Sequence, residues 1–598
     1  MNDKPAADQA FQQAQQALHA GRLSEAESHC RAALALHDGH AEARYLLAIL
    51  AFHKGQAAQA VLSMRQALLL QADLHDGYFN LGAMLQALGR VAEAEAAYRE
   101  EIALRPASVR ACNNLAALLK SAGRLTEAET MYRQALATDA DFFDAQQNLA
   151  MLLEDAGRLG EAETLLRRSL VLHPQSSEVC NRLGNVLRAG AKADEAETWY
   201  RRAIVHDAGN AMAHNNLGVL LKEAQRWSEA EQAFRRALAA QAQCAEAWQN
   251  LGVLLQETGR ENEAESCYRR ALIEAPDMAD AYYNFACLLL QQGKFTQGWR
   301  EFESRLQIPG NSGGWHLSAP RWDGSASLEG KTIALTAEQG LGDSLQFLRY
   351  APLVAARGAE VILALQAPLK RLAARCAGVA AVYGFGEALP PCDYQCPLMS
   401  LPLVFATTPD SIPAAIPYLF PDADVAAQWQ VKFDAQRDAH CNLRVGLVWA
   451  GNPRKDSPAG QALDRRRSVP FAQLMPLLVI PGAQFFSLQV GEDAASQSRS
   501  EPRVIDFSGD LRDFDDTAAM VSQLDLVISV DTAMAHLAGA LGKPVWLLNR
   551  YDTCWRWMRE REDSPWYPRT RIFRQRAPGD WAGVVARVAQ ALQQELGL

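Results

Sequence analysis

No run of about eighteen or more apolar residues occurs in the 598-residue sequence, so nothing in it reads as a membrane-spanning helix. The opening stretch, MNDKPAADQAFQQAQQALHA, lacks the apolar segment that a secretory signal needs. A cytoplasmic location is the expectation. Positive charge is also in short supply: 59 Lys and Arg stand against 69 Asp and Glu, giving a formal net charge of −10 and a pI near 5.7. Such a balance exerts no global attraction on nucleic acid or anionic lipid. Paired cysteines are missing too. The 11 cysteines are scattered singly except for Cys392 and Cys396, so neither a disulfide framework nor a paired CxxC zinc site is expected. The two D-x-D matches, Asp422 with Asp424 and Asp513 with Asp515, fall outside any strand-end context, and no metal is expected. What remains is an ordinary composition, 49% hydrophobic and 21% charged, in a chain long enough for at least two domains.

The first half repeats itself. Aligned at a period of 34, nine units begin near residues 7, 41, 75, 109, 143, 177, 211, 245 and 279. Where the two helices of a unit must approach closely stand Ala14, Ala48, Gly82, Ala116, Ala150, Gly184, Gly218, Gly252 and Ala286, all small. Twelve residues on come Ala26, Ala60, Ala94, Ala128, Ala162, Ala196, Ala230, Ala264 and Gly298, again all small, because a larger substituent would push the helices apart. Turn glycines such as Gly21, Gly55 and Gly89 supply the left-handed residue that ends a helix, with Ala191 and Gln225 in their place in the sixth and seventh units. Aromatic side chains at Tyr98, Tyr132, Tyr200, Phe234, Tyr268 and Phe302 and prolines at Pro106, Pro174 and Pro276 complete the pattern. It resembles the tetratricopeptide-repeat family. The resemblance implies an α-solenoid over residues 1–308 whose concave groove receives a protein or peptide. In six of the nine units an asparagine precedes the apolar and small pair: Asn80, Asn114, Asn148, Asn216, Asn250 and Asn284. An amide offers a donor and an acceptor together, which suits a peptide backbone, and the series resembles the asparagine ladder of O-linked N-acetylglucosamine transferases. The alternative is that each asparagine bonds to a neighbouring repeat.

After Phe302 the period stops, and a glycine- and serine-rich stretch reads as a linker over 309–330. Short β-branched runs then alternate with helical stretches: KTIALTA, AEVILAL, LRVGLVWAG, AQFFSLQ, RVIDFSG, LDLVISV and KPVWLL. Alternation of this kind predicts parallel sheets with helices on both faces. The proline-rich passage from Pro413 to Pro421 divides the half into a first lobe, 331–430, and a second, 440–598. A pair of doubly wound lobes holds its ligand at the carboxyl ends of the strands.

Three segments carry candidate chemistry. In LDLVISVDTAMAHLAGALGKPVWLL a buried strand ends at Val530 and a helix opens with Asp531, Thr532 and Ala533; Thr532 and His536 share a face. Free N–H groups at such a helix start bind diphosphates. The segment resembles the heptosyltransferases, whose D-T-x-x-x-H motif opens the helix that receives the nucleotide-sugar diphosphate; the plain reading is an N-cap. In LTAEQGLGDSLQFLRYAPLV, Gly340 and Gly342 turn the chain into a helix headed by Asp343. By the same resemblance Asp343 is the general base that takes the acceptor proton; the plain reading is again a cap. The third segment, VGLVWAGNPRKDSPAGQALDRRRSVPF, brings Asn452, Lys455, Arg465, Arg466 and Arg467 after a strand. The resemblance makes Arg467 the cation that neutralises the leaving diphosphate. Further on, residues 549–576 concentrate eight arginines with Trp555, Trp557, Trp566 and Tyr567, a mixture suited to a nucleotide or to surface packing.

The resemblances together imply an α-solenoid followed by an α/β GT-B fold, and an inverting, metal-independent glycosyltransferase that uses a nucleotide-diphosphate sugar as donor and no cofactor. The competing expectation is a non-catalytic tetratricopeptide scaffold with a degenerate nucleotide-binding module, favoured by the shortness of the first lobe. Nothing in the second half matches the catalytic motifs of an O-linked N-acetylglucosamine transferase.

Overall fold

The computed structural model of the protein describes residues 3–309, 315, 317–452, 458–499 and 501–598. The chain divides into two compact units, Met1–Asn216 and Leu217–Leu598. Among the described residues helices run in nine successive pairs, from Lys4–His19 and Leu23–Leu36 to Ala279–Gln291 and Phe295–Phe302. The expected period is therefore present as built structure.

The small residues sit where close approach was expected. Ala14, Ala48, Ala116, Ala150 and Ala26 are fully or almost fully buried. A Cβ added at Gly184 would stand 2.5 Å from the Tyr200 ring, and one at Gly218 would stand 2.6 Å from Phe234, so these glycines make room for aromatic plugs rather than for a turn. Three buried phenols keep a polar handle: Tyr98, Tyr200 and Tyr268 donate to Gln86, Asn185 and Gln256 at 3.0, 2.8 and 2.8 Å. Ala191 and Gln225 do adopt φ of 58° and 59° in place of glycine. A basic residue precedes most second helices and ties repeats together. Arg124 bridges Glu95 of the preceding repeat and Glu127 of its own, both at 2.7 Å, and Arg158 and Arg260 repeat the arrangement.

The second unit contains two wholly parallel sheets. Strands β1 (Thr332–Thr336), β2 (Glu360–Leu365), β3 (Val379–Gly384) and β4 (Tyr394–Pro397) lie in the order β3-β2-β1-β4. Strands β5 (Leu443–Val448), β6 (Ala483–Ser487), β7 (Val504–Asp506), β8 (Leu526–Val530), β9 (Val545–Asn549) and β10 (Thr570–Arg574) lie in the order β10-β9-β8-β5-β6-β7. The order reverses between β1 and β4 and again between β5 and β8, the doubly wound pattern. Every residue of β8 and β9 is buried, which explains their unbroken apolar runs.

Two expected boundaries are corrected. The stretch 309–330 is not a free linker along its described length: Trp322 donates its N–H to the Gln395 carbonyl at 2.8 Å, the Gln395 N–H returns to Pro320 at 3.0 Å, and Trp322 and Leu328 are 1% exposed. Nor does the solenoid end as a separate body near residue 308. Ala286, Leu290, Phe295, Trp299 and Phe302 belong to the same buried cluster as the strands, because aromatic residues of the last repeat meet Phe347, Trp555 and Trp566 at ring separations of 5.3–6.4 Å. Strands β3, β4 and β10 were not anticipated. β3 is a half-exposed edge, β4 is four residues long, and β10 lies inside the arginine-rich segment.

Candidate functional site

Asparagines of the first unit make the inter-repeat bonds of the alternative reading. Asn80 donates to the Tyr45 hydroxyl at 2.7 Å, Asn148 to Asn113 Oδ1 at 3.0 Å, and Asn216 to Asn181 and Asn185 at 3.0 Å. Asn114 accepts from Asn113 at 3.4 Å. All four are half-buried, so each amide used for stacking keeps further hydrogen-bonding capacity. In the second unit Asn250 and Asn284 are half-buried as well.

Most of the sequence-derived chemistry converges where two short helices meet. Helix Leu341–Phe347 follows β1, and helix Ala533–Ala540 follows β8. They approach so closely that a Cβ on Gly342 would lie 2.9 Å from His536 Cδ2 and 3.4 Å from Ala533 Cα. Gly342 is thus inside a helix and serves contact, not the turn that its spacing suggested. Asp343 accepts the Gly340 N–H on Oδ2 at 2.9 Å, so the capping reading holds for one oxygen. Its other oxygen is ion-paired with Arg556, a residue not singled out from the sequence. Arg556 also donates to Gln346 Oε1 at 2.7 Å and to Cys554 Sγ at 3.2 Å, and lies 4.3 Å over the Trp555 ring. Its side chain is 11% exposed and that of Asp343 18%. Burial works against the Arg556 charge, but Asp343, Cys554 and Asp531 together outweigh it and the guanidinium stays firmly protonated.

On the β8 side the strand ends at Val530 and Thr532 is the N-cap, extended at φ −139°, yet its side chain makes no cap bond. Its hydroxyl instead stands 3.3 Å from Ser529 Oγ. The first-turn N–H groups of Ala533 and Met534 therefore have no acceptor from the cap side chain or from within the helix. Asp531 does not cap either; its Oδ1 accepts from the Trp557 indole at 2.8 Å. Trp557 in turn stacks on His536 with ring centres 5.3 Å apart, and His536 Nδ1 shares a hydrogen bond of 3.0 Å with the Tyr567 hydroxyl. Burial, helped by the Arg556 charge, pulls the His536 pKa down to about 4, so the imidazole is neutral at pH 7. It orders its neighbours and carries no charge to a phosphate.

Asn452 and Arg467 form a second group at the end of β5, the strand paired with β8. Residues 458–467 are a helix rather than a loop, and Arg467 at its end donates to Asp464 at 2.9 Å and to the Asn452 carbonyl at 3.1 Å. Arg466 points elsewhere, pairing with Glu257 at 3.0 Å and Asp552 at 3.3 Å, and Arg465 is exposed. Lys455 lies outside the described residues. The D-x-D residues are caps: Asp422 accepts from Asp424 and Val425, and Asp513 from Asp515 and Asp516. Among the described residues no group of His, Cys, Asp or Glu is arranged to hold a metal ion, and no helix is long and apolar enough to cross a membrane.

The sequence missed Arg556 and also Tyr283. The signal for Arg556 was present in the arginine- and tryptophan-rich segment, but eight arginines of equal standing gave no way to choose. Tyr283, from the last repeat, is half-buried beside Cys287, which together with burial raises its phenol well above the usual range, with Arg556 and Asp343 near enough to act on it as well.

Comparison with known proteins agrees with the repeat reading. One tetratricopeptide-repeat family model matches residues 17–84 and 121–180, and another matches 79–141, 181–243, 215–279 and 250–306. The helical array consists of tetratricopeptide repeats. No glycosyltransferase family model matches the second half. The chain is 30% identical to Protein FlbA of Caulobacter vibrioides over 331 residues, which is 50% of this chain and 53% of that protein; it thus spans about half the length of this relative. Among solved structures, Pseudomonas aeruginosa PilF is 22% identical, with 34% of this chain and 94% of that chain covered and a TM-score of 0.30. YrrB, a tetratricopeptide-repeat protein described as having an unusual peptide-binding site, is 21% identical, with 31% and 96% covered and a TM-score of 0.24.

Proposed function

We propose that the protein is a glycosyltransferase of the GT-B type, in which the repeats recruit a protein or peptide and the second half moves a sugar from a nucleotide-diphosphate donor. The observation that supports this most is the meeting of Asp343 with the open helix start at Ala533 around one buried cation, Arg556. Both helices leave strands that flank an order reversal, where doubly wound sheets take their ligands. The donor diphosphate lies against the first-turn N–H groups of Ala533 and Met534. Arg556 turns from Asp343 to the diphosphate, which frees the carboxylate. An acceptor oxygen then attacks the anomeric carbon with inversion, its proton passes to Asp343, and the carbon–oxygen bond to the diphosphate breaks as the nucleoside diphosphate leaves. Arg467 serves as a further cation at the end of β5.

Calorimetric titration with a panel of nucleoside diphosphates tests the reading. Ala533→Pro removes one first-turn N–H at a helix position that accepts proline, after an extended Thr532 with ψ of 173°. That variant and Arg556→Gln should each weaken binding by about 1–3 kcal/mol. Absence of binding, or equal affinity in wild type and both variants, would overturn the assignment. A second reading is supported by the double engagement of Asp343: a carboxylate bonded on both oxygens also suits a non-catalytic module. Consumption of a bound nucleotide sugar that stops in Asp343→Asn excludes that reading.

A further inference from the structure

The strand order reverses once in each sheet, and the two reversals are closed differently. Between β1 and β4, Glu338 accepts the Met399 N–H at 3.1 Å and is held on both oxygens by Arg305 of the last repeat, at 2.9 and 3.0 Å. Neither side chain keeps a buried polar atom without a partner. Nothing on that pair is left for a ligand.

Between β5 and β8 the charges are only half used. Arg466 follows β5 and Arg550 follows β9, and β8 lies between those strands in the sheet. The two arginines share Asp552 Oδ2, at 3.3 and 3.4 Å, so their bridge crosses the carboxyl end of β8. Register brings Arg550 to the helix start there: Leu548 pairs with Val530, and Arg550 and Thr532 each stand two residues further on. Cys554 lies within electrostatic reach of Arg550 as well as of Arg556 and Asp531. Yet Nε and Nη1 of Arg550 are buried with no hydrogen-bond partner, and so is Nε of Arg466. A buried donor without a partner is costly, and more so on a charged group.

The carboxylates beside these arginines are weakly fixed. Asp552 serves both through a single oxygen. Glu257, from the eighth repeat, meets Arg466 at 3.0 Å through Oε1, while its Oε2 has no partner. Lys222 of the seventh repeat stands 3.9 Å from the same Oε1. Three cations, Lys222, Arg466 and Arg550, thus face two carboxylates in one chain of contacts, with side chains only 12–20% exposed. Solvent screens such charges little. A phosphate group supplies what is missing, negative charge together with several acceptor oxygens.

We infer that Arg550 and Arg466 bind the anionic oxygens of the diphosphate at the β8 helix start, that Asp552 and Glu257 compete with it for the two guanidinium groups, and that the eighth repeat therefore forms one wall of the donor site. This rests on the transferase reading for placing a diphosphate at Ala533. On binding, the arginines exchange carboxylate oxygens for phosphate oxygens, and no covalent bond changes. The repeats then take part in donor binding as well as in recruitment.

Calorimetric titration of the full chain with inorganic pyrophosphate tests this. Arg550→Gln should weaken binding about tenfold, and Arg550→Lys, which keeps the charge with a different set of N–H groups, should weaken it less. Asp552→Asn and Glu257→Gln should each tighten binding roughly threefold, because each removes a competing negative charge. Tightening cannot come from misfolding. A network that only joins the repeats to the second sheet gives the reverse, a lower melting temperature with affinity unchanged or weakened. Unchanged affinity in Arg550→Gln, or a carboxylate variant that fails to tighten binding, overturns the inference; weakening by Ala533→Pro in the same series leaves the diphosphate site itself in place. A wild-type chain that binds nucleoside diphosphates but not pyrophosphate also overturns it, and one that binds neither overturns the transferase reading as well.

Discussion

The repeats and the parallel sheets are both held by apolar burial, but they place their charges oppositely. In the repeats the arginines bridge glutamates on the surface: Arg124, Glu95 and Glu127 have side chains 39%, 21% and 51% exposed, and Arg158 and Arg260 repeat the motif. In the second unit the key charges are inside, with Arg305 at 0% and Arg349 at 3% exposure, each with a unique set of partners. A repeated surface contact is redundant, since each repeat meets its neighbours only. A buried pair has no substitute, and removing one partner strands the other's charge.

The sharpest way to break this comparison is Arg305→Ala, which leaves Glu338 buried without its cation and should destabilise the second unit by about 3–5 kcal/mol. Urea unfolding followed by tryptophan fluorescence would show it; Arg124→Ala, in contrast, should leave the midpoint unmoved. Comparable small shifts from both would erase the distinction. Next in size comes His536. Its folded pKa of about 4 lies below the ordinary imidazole value of about 6.5, so the unfolded chain takes up the proton first as the pH falls. The stability it lends is fully present above about pH 6.5 and is lost progressively down to about pH 4, by at most on the order of 3 kcal/mol. His536→Asn should flatten the midpoint-against-pH curve in that window, and an unchanged slope would mean that the imidazole is hydrated. The smallest effect is expected for Gly184→Leu, where overpacking against Tyr200 should cost about 1–3 kcal/mol. Hydrogen exchange should accelerate only in adjacent repeats; acceleration that reaches β8 and β9 would show that the repeats do not fold through neighbour contacts alone.

Legibility follows the same division. The nine helix pairs were readable because one steric requirement, a small residue where helices touch, is written nine times and averages out exceptions such as Ala191 and Gln225. Strands β1, β2, β5, β6, β8 and β9 were readable because burial on both faces demands an apolar run. Edge strand β3 and the arginine-bearing β10 carry no such demand and escaped notice. At the site, Asp343, Thr532 and His536 were marked by local motifs at strand ends, whereas Arg556 is separated from Asp343 by more than two hundred residues and paired with it only by folding.

The sequence alone thus determined the helical repeat and the parallel α/β class, because both rest on periodicity and apolar pattern, which are properties of short windows. Tertiary structure decided which charges are buried together, that Arg305 and Glu338 close the reversal point of the first sheet, and that Asp343 answers to Arg556. Those pairings depend on the position of one side chain relative to another distant in the chain. No local preference encodes that position, and the low dielectric of the interior makes each pairing obligatory once formed.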